Sequence, residues 1–386
     1  MGTQLNYNCA HMSSPTHTTL LTEAEQLDAL VASLAEEKLI SVDTESNGLH
    51  AFREQVCLIQ FSTAQDDYLV DPLAIEDLSP LAEIFSNPEI EKIFHASEYD
   101  LIVLQRDFGW KFANLFDTMI AARILGKKKV GLGGLIEAEL GIKLAKRFQK
   151  ADWGRRPIPA DMLDYARLDT HYLIQLRRKL KDELKEGGRW PMAEEDFARL
   201  PKAISTPTPT ADADIWRVKG ARDLQPQQRA ILSKLVDYRR ARAEKADVPL
   251  FKIIGDRTLS AIAAAEPRGT AQLEQIEGMS TGQIRRHGRA LLDAVKEGAS
   301  AEPIQRPRRG NYDEDFADRV ETLRNWRKLA ARKMEVESDV ILPRDLMEKI
   351  ARENPGNMQA LNALLSDLPW RRAEYGEEIF ETLNPS

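Results

Sequence analysis

An α/β domain followed by two small all-α domains is the fold class that this sequence predicts, and three observations carry it. Residues 20–200 alternate short apolar runs with helical periodicity; a stretch rich in Pro, Thr and Ala, 201–214, breaks that pattern; beyond it only helical patterns follow. At 386 residues the chain exceeds one ordinary core, and 42% hydrophobic with 30% charged residues lets it bury several.

In "LISVDTESNGLHAF", Leu39, Ile40 and Val42 form an apolar run that ends at the Asn47-Gly48 turn signal, which predicts a buried strand. "VCLIQFS" (56–62) and "DYLVD" (67–71) read as strands, "LSPLAEIFSN" as a helix, "EKIFHA" (91–96) as a strand and "SEYDLIVLQRDFG" as a helix. Further helices are predicted at 117–126, 131–140 and 160–186, giving a sheet in which an early strand meander is joined by later parallel strands. The predicted division is a leader over 1–18, the α/β domain over 19–200, a linker over 201–214, a helical domain over 215–298, a second linker over 299–314 and a second helical domain over 315–386. The two helical domains read as weak repeats, each opening with a basic helix, "ILSKLVDYRRARAEK" and "RVETLRNWRKLAARKM". The last helix of the first repeat starts at "STGQ", where Ser280 and Gln283 have capping-box spacing.

Composition narrows the chemistry. No apolar run approaches the roughly 18 residues of a membrane span, and the N-terminus lacks a secretory pattern, so a soluble cytoplasmic protein with no membrane partner is expected. His11 and Met12 look like a cloning junction, with Met12 the natural start. Cys9 and Cys57 are the only cysteines and the six histidines are scattered, which leaves carboxylates as the candidate metal ligands. The net charge is −7, yet from Trp216 to Glu297 there are 16 Lys and Arg against 10 Asp and Glu. That segment is basic within an acidic chain.

Asp43 and Glu45 close the first predicted strand two residues apart, so they share a face and repel. A basic partner, a capping role or a shared divalent cation would each relieve the pair. Asp100 lies in the first turn of a predicted helix, where it could instead complement the helix dipole, with Glu98 a rival. Tyr165 and Asp169 stand four apart on a helix and share its face; a surface pair is the plainer alternative.

Together these residues resemble the DEDD exonuclease superfamily in its tyrosine-bearing branch: Asp-x-Glu, then Asp, then Tyr-x-x-x-Asp. The flanks "VDTESNGL", "HASEYDL", "LFDTMIAARIL", "KADWGRRPIP" and "YARLDTHYL" are similar to the ribonuclease D family, and the helical segments to tandem HRDC domains. The resemblance covers nearly the whole chain from about residue 20 and implies a ribonuclease H-like mixed sheet flanked by helices. It implies a 3′-5′ exoribonuclease that hydrolyses phosphodiesters with two Mg²⁺ or Mn²⁺ ions and releases 5′-mononucleotides from RNA with a free 3′-hydroxyl, tRNA precursors included. Asp43, Glu45, Asp100 and Asp169 would hold the ions and Tyr165 would orient the attacking water; the protein would act as a monomer. Two rival readings are a DNA 3′-5′ exonuclease, since nothing in the motifs reads a 2′-hydroxyl, and a catalytically silent RNA-binding protein, against which the intact carboxylate set argues.

Weaker signals surround this set. Asn47 and Gly48 could bring backbone near the terminal nucleotide or simply form a turn. Lys146, Arg147, Lys150, Arg155 and Arg156 form a basic cluster that could contact phosphate or be a solvated loop, and Arg239, Arg240, Arg242 and Lys245 could grip RNA non-specifically. Asp117 reads as a helix N-cap rather than a fifth ligand, His95 as a core histidine and "GLGG" (131–134) as a helix entry.

Overall fold

The computed structural model describes residues 18–203, 214–306 and 313–385; the predicted leader up to residue 17 and the central parts of both predicted linkers lie outside them. The described residues fall into two compact units, divided after Glu45, after Gln55 and within the two linkers. The α/β domain shares its unit with the second helical domain, whereas Ser46–Gln55 belongs with the first helical domain.

Six strands build the sheet: β1 (Thr18–Leu21), β2 (Leu39–Ser46), β3 (Val56–Ser62), β4 (Asp67–Val70), β5 (Glu91–Phe94) and β6 (Leu115–Asp117), in the order β1-β4-β3-β2-β5-β6. β3 and β4 pair antiparallel, while β1 with β4, β2 with β5 and β5 with β6 pair parallel. Every residue of β3 is buried, as an apolar strand covered on both faces should be. The helices of this domain are α1 (Ala24–Ala35), α2 (Leu81–Ser86), α3 (Glu98–Phe108), α4 (Thr118–Ile124), α5 (Leu132–Leu140), α6 (Ala160–His171), α7 (Leu173–Glu186) and α8 (Trp190–Ala203). One core joins Ile40, Val42, Ile59 and Phe61 to α1, α2 and α3. Separate clusters set Leu58 and Leu69 against α6, and Ile93 and Phe116 against α4, α5, α7 and α8.

Four elements of this domain, β1, α1, β6 and α8, were not singled out by the sequence pattern, and the helix expected over 160–186 is two helices meeting at Tyr172. The strand expected to reach residue 96 ends at Phe94, because Ala96 takes a left-handed conformation (φ 61°) and Asp117 accepts the amides of Ala96 and Ser97 at 3.2 and 2.7 Å.

The first helical domain contains α9 (Asp214–Arg217), α10 (Pro226–Ala246), α11 (Leu250–Ile253), α12 (Asp256–Ala265), α13 (Thr270–Leu273) and α14 (Thr281–Ala299). Its unit includes the segment after β2: the Phe52 amide donates to Asp247 at 3.0 Å, Arg53 pairs with Glu244 at 3.0 Å, and the Phe52 ring packs on the domain core. The second contains α15 (Glu314–Met334), α16 (Ser338–Ile341), α17 (Arg344–Glu353), α18 (Met358–Leu364) and α19 (Pro369–Leu383). It is fastened to the α/β domain through α8, where Arg371, 1% exposed, donates to Glu195 at 2.9 Å and Asp196 at 2.8 Å. Arg123 adds a bond to Asp339, and Arg189 reaches the Met334 carbonyl at 2.9 Å.

Candidate active site

β2 presents alternate side chains to opposite faces, so Ile40 and Val42 enter the core while Asp43 and Glu45 project from the other side. Carboxylate oxygens of Asp43, Glu45 and Asp169 lie within 4.8 Å of one another. Asp43, Tyr165 and Asp169 line a groove of about 640 Å³ whose other walls include His95, the start of α5 at Gly131–Gly134, and Lys129, Lys143 and Lys146. A negative floor therefore faces a rim that carries cations.

The electrostatics of the floor follow from burial and crowding. Desolvation, then repulsion from Asp100, Asp169 and Glu45, holds the Asp43 carboxyl well above its usual range. Burial, with Asp169 and Asp100 adding, pushes Glu45 up to about 9, and burial raises Asp100 and Asp169 to about 7 each. Such a group of oxygens suits a hard cation, which would neutralise the repulsion.

Asp100 on α3 stands close enough to repel Asp43 and Glu45 but outside the trio of clustered oxygens, and is held by Thr44, whose hydroxyl donates to its Oδ1. Thr44 is the residue between the paired carboxylates, so strand alternation sends it toward α3. Sequence reasoning passed over it because any residue can occupy that place in the motif. Tyr165 donates its hydroxyl to Asp169, and its ring lies 5.7 Å from Phe148 and 6.4 Å from Trp153. Burial, followed by the charges of Asp169 and Glu45, lifts the phenol above its ordinary range, so Tyr165 keeps its proton at neutral pH.

Other expected positions divide. Lys146 lines the groove, and Arg147 lies at its side, 3.6 Å from Asp161 and with its guanidinium 5.1 Å from the Phe148 ring centre. Lys150 and Arg155 are exposed in the same connection. Arg156 must be corrected to a structural role. It makes a two-pronged pair with the buried Asp71 at 2.7 and 2.6 Å and donates to the carbonyls of Cys57 and Trp153 at 2.8 and 2.7 Å. Arg239 needs the same correction: it is 4% exposed and donates to Asp256 and the Ile254 carbonyl, while Arg240, Arg242 and Lys245 stay on the exposed side of α10.

Asn47 is buried, and its side chain accepts the Gln55 amide at 2.9 Å, which closes the loop after β2. Gly48 lies against the Glu54 side chain, whose carboxylate end a Cβ would displace. Asp117 caps α4 by accepting from Met119 and Ile120 at 2.8 and 3.1 Å. His95 donates or accepts through Nδ1 with Thr118 at 2.9 Å yet also lines the groove, so the core reading describes half of its surroundings.

Comparison with known proteins fits this geometry. Residues 18–185 match the family described as 3'-5' exonuclease, and residues 228–295 and 316–383 each match the HRDC domain. Ribonuclease D of Zymomonas mobilis subsp. mobilis is 30% identical over 374 residues, 93% of this chain and 92% of the relative. The chain belongs to the ribonuclease D family. Ribonuclease D of Sphingobium indicum is 28% identical over 370 residues, 94% of this chain and 93% of its own. The catalytic core of RRP6 from Trypanosoma brucei superposes with a TM-score of 0.64 at 29% identity, over 73% of this chain and 79% of that one. RNase D of Escherichia coli shares the fold, with a TM-score of 0.70 at 24% identity over 95% and 98% of the two chains.

As a member of this family, the protein is a 3′-5′ exoribonuclease with an RNA substrate, an exonuclease domain and two HRDC domains. Its exonuclease family is metal-dependent, and the acidic cluster is the candidate metal site. Among the described residues no helix is long and apolar enough to cross a membrane.

Proposed function

We propose that this protein removes 5′-mononucleotides one at a time from RNA with a free 3′-hydroxyl, acting as a monomer on precursors such as those of tRNA. The observation that supports this reading is the trio Asp43, Glu45 and Asp169, with ligand oxygens within 4.8 Å of one another, two of them (Asp43 and Asp169) lining the groove, and with carboxyl pKa values raised by burial and, for Asp43 and Glu45, by the neighbouring carboxylates. Hard oxygen donors fit Mg²⁺ or Mn²⁺, and we assign two such ions to Asp43, Glu45 and Asp169 with Asp100. When bound, the ions supply Lewis-acid charge that acidifies water and stabilises the leaving 3′-oxygen.

The protein groups have separate tasks in this reading. Tyr165, which donates to Asp169, orients the attacking water. Thr44 holds the Asp100 carboxylate in place. Lys146 and Arg147, with Lys150 and Arg155 beyond them, meet the phosphates of the strand; Asn47 and Gly48 shape the loop near the terminal nucleotide; and Arg240, Arg242 and Lys245 contribute a second, sequence-independent contact.

The test pairs a 3′-hydroxyl single-stranded RNA with the matched DNA, each with Mg²⁺, Mn²⁺ or chelator, for wild type and Asp43→Asn. Metal-dependent release of mononucleotides from RNA, lost in the variant, is expected. Activity in chelator or an unimpaired variant would sink the metal site, and a preference for DNA would overturn the substrate. Metal-free stability supplies a second check. Carboxyls whose folded pKa lies above the unfolded value bind extra protons in the folded state, so stability falls as pH rises from about 4.5 through about 9. Thermal melts should therefore show Mn²⁺ stabilising the protein more at pH 8 than at pH 5; the opposite order would remove the carboxylates as the binding groups.

A further inference from the structure

Asp169 and Tyr165 reach the groove only if α6 lies at one particular rotation about its own axis. Successive residues of a helix turn by about 100°, which puts Asp169 and Tyr165 on one flank of α6, Met162, Ala166 and Thr170 along its middle, and Arg167 and His171 on the opposite flank. The middle stripe is buried against β3 and β4. Met162 and Ala166 pack this stripe onto the sheet, and directional hydrogen bonds add to that packing in fixing the roll.

The opposite flank is where the polar ties are. Asp67 on β4, 1% exposed, lies 3.0 Å from His171 Nδ1 and accepts from Arg167 Nη1 at 3.1 Å. Beside it, Ser62 Oγ and Thr170 Oγ1 are 2.6 Å apart, and the Ser62 hydroxyl is also hydrogen-bonded to Asp67. Arg167, Thr170 and His171 bracket Asp169 within two residues on either side. A side-chain tip at about 5–6 Å from the helix axis moves by about 1 Å for a roll of about 10°. That is twice the tolerance of roughly 0.5 Å within which a ligand constellation works.

We infer that Asp67 is a positioning residue for the metal site: a buried carboxylate on β4 that fixes the roll of α6, and with it the place of Asp169, through Arg167 and His171. The inference rests on the proposed metal-binding role of Asp43, Glu45 and Asp169. Asp67 touches neither the groove nor the carboxylate trio and acts through the helix alone. Burial would raise its carboxyl, yet the bonds from His171, Ser62 and Arg167 hold it below the ordinary range, so it stays charged and keeps both partners at neutral pH.

The experiment measures Mn²⁺ binding to the metal-free protein by calorimetry, the Mn²⁺ midpoint of activity, and kcat and KM on a short 3′-hydroxyl oligoribonucleotide. Wild type, Asp67→Ala, Arg167→Ala, His171→Ala and Asp43→Asn are compared well below each melting temperature. Groups that orient metal ligands typically alter affinity or activity by 10- to 100-fold. For Asp67→Ala we expect Mn²⁺ affinity to fall by about tenfold, kcat to fall in step and to recover partly at high Mn²⁺, and KM to stay within about twofold. Arg167→Ala and His171→Ala remove one tie each and should give smaller changes in the same direction, which keeps the inference testable if Asp67→Ala does not fold. Lowered melting temperatures with wild-type Mn²⁺ affinity and kcat would overturn the positioning role. If wild type itself binds no Mn²⁺, or Asp43→Asn remains fully active, the metal site fails instead, and this inference with it.

Discussion

The two helical domains repeat one plan and fasten one corresponding helix in opposite ways. In each, a buried arginine of the long first helix donates to a carbonyl fifteen residues on: Arg239 to Ile254 at 3.1 Å and Arg327 to Leu342 at 2.9 Å. In the first domain, α14 is capped from within, where Ser280 and Gln283 exchange bonds at 3.3 and 3.4 Å. Leu368 and Arg371 stand at the corresponding places in the matched segments, and α19 has no side-chain cap of its own. Its Trp370 and Arg371 amides donate to Glu195 of α8, a residue of the α/β domain. A helix end can thus be an attachment point: where a local cap is missing, the unsatisfied amides become donors for another domain.

Substitutions at these places would break the comparison or sharpen it. Arg371→Ala removes the cation that pairs with buried Glu195 and half-buried Asp196, leaving Glu195 only its two backbone amides, and should cost about 3–5 kcal/mol in denaturant unfolding. A loss as small as that of an exposed pair would mean that the docking is incidental. Leu368→Ser places a capping residue where the first domain has one, yet Leu368 is fully buried in the domain core, so a loss of about 2–4 kcal/mol is expected instead of a gain. Ser280→Ala removes only a local cap and should cost about 1 kcal/mol, read from the same unfolding curves. Lys202→Ala, which deletes an exposed pair with Asp367 at 3.0 Å at the edge of the docked face, should change stability by less than about 0.5 kcal/mol.

Legibility in the sequence followed the range of the interaction. Asp43 with Glu45 and Tyr165 with Asp169 could be paired because strand and helix periods fix which neighbours share a face. The strands over 56–62 and 67–71 were readable because their apolar runs are bounded by turn residues. β1 and β6 are only four and three residues long and owe their extended form to partners far along the chain. Basic runs hid the same kind of information. Nothing local distinguishes Arg239 from Arg240, or Arg156 from Arg155; the partner that draws one of each pair inward lies elsewhere, Asp256 for Arg239 and Asp71 for Arg156. Asp67 was invisible for the same reason, since its partners on α6 are about a hundred residues away.

The cap that Glu195 gives to Arg371 spans 176 residues, and it sets an order of assembly. A ribosome adding roughly 5–20 residues per second needs about 10 to 35 s to pass from one to the other. The whole α/β domain, α8 included, is therefore synthesised before α19, and the end of this helix is completed by a residue made earlier.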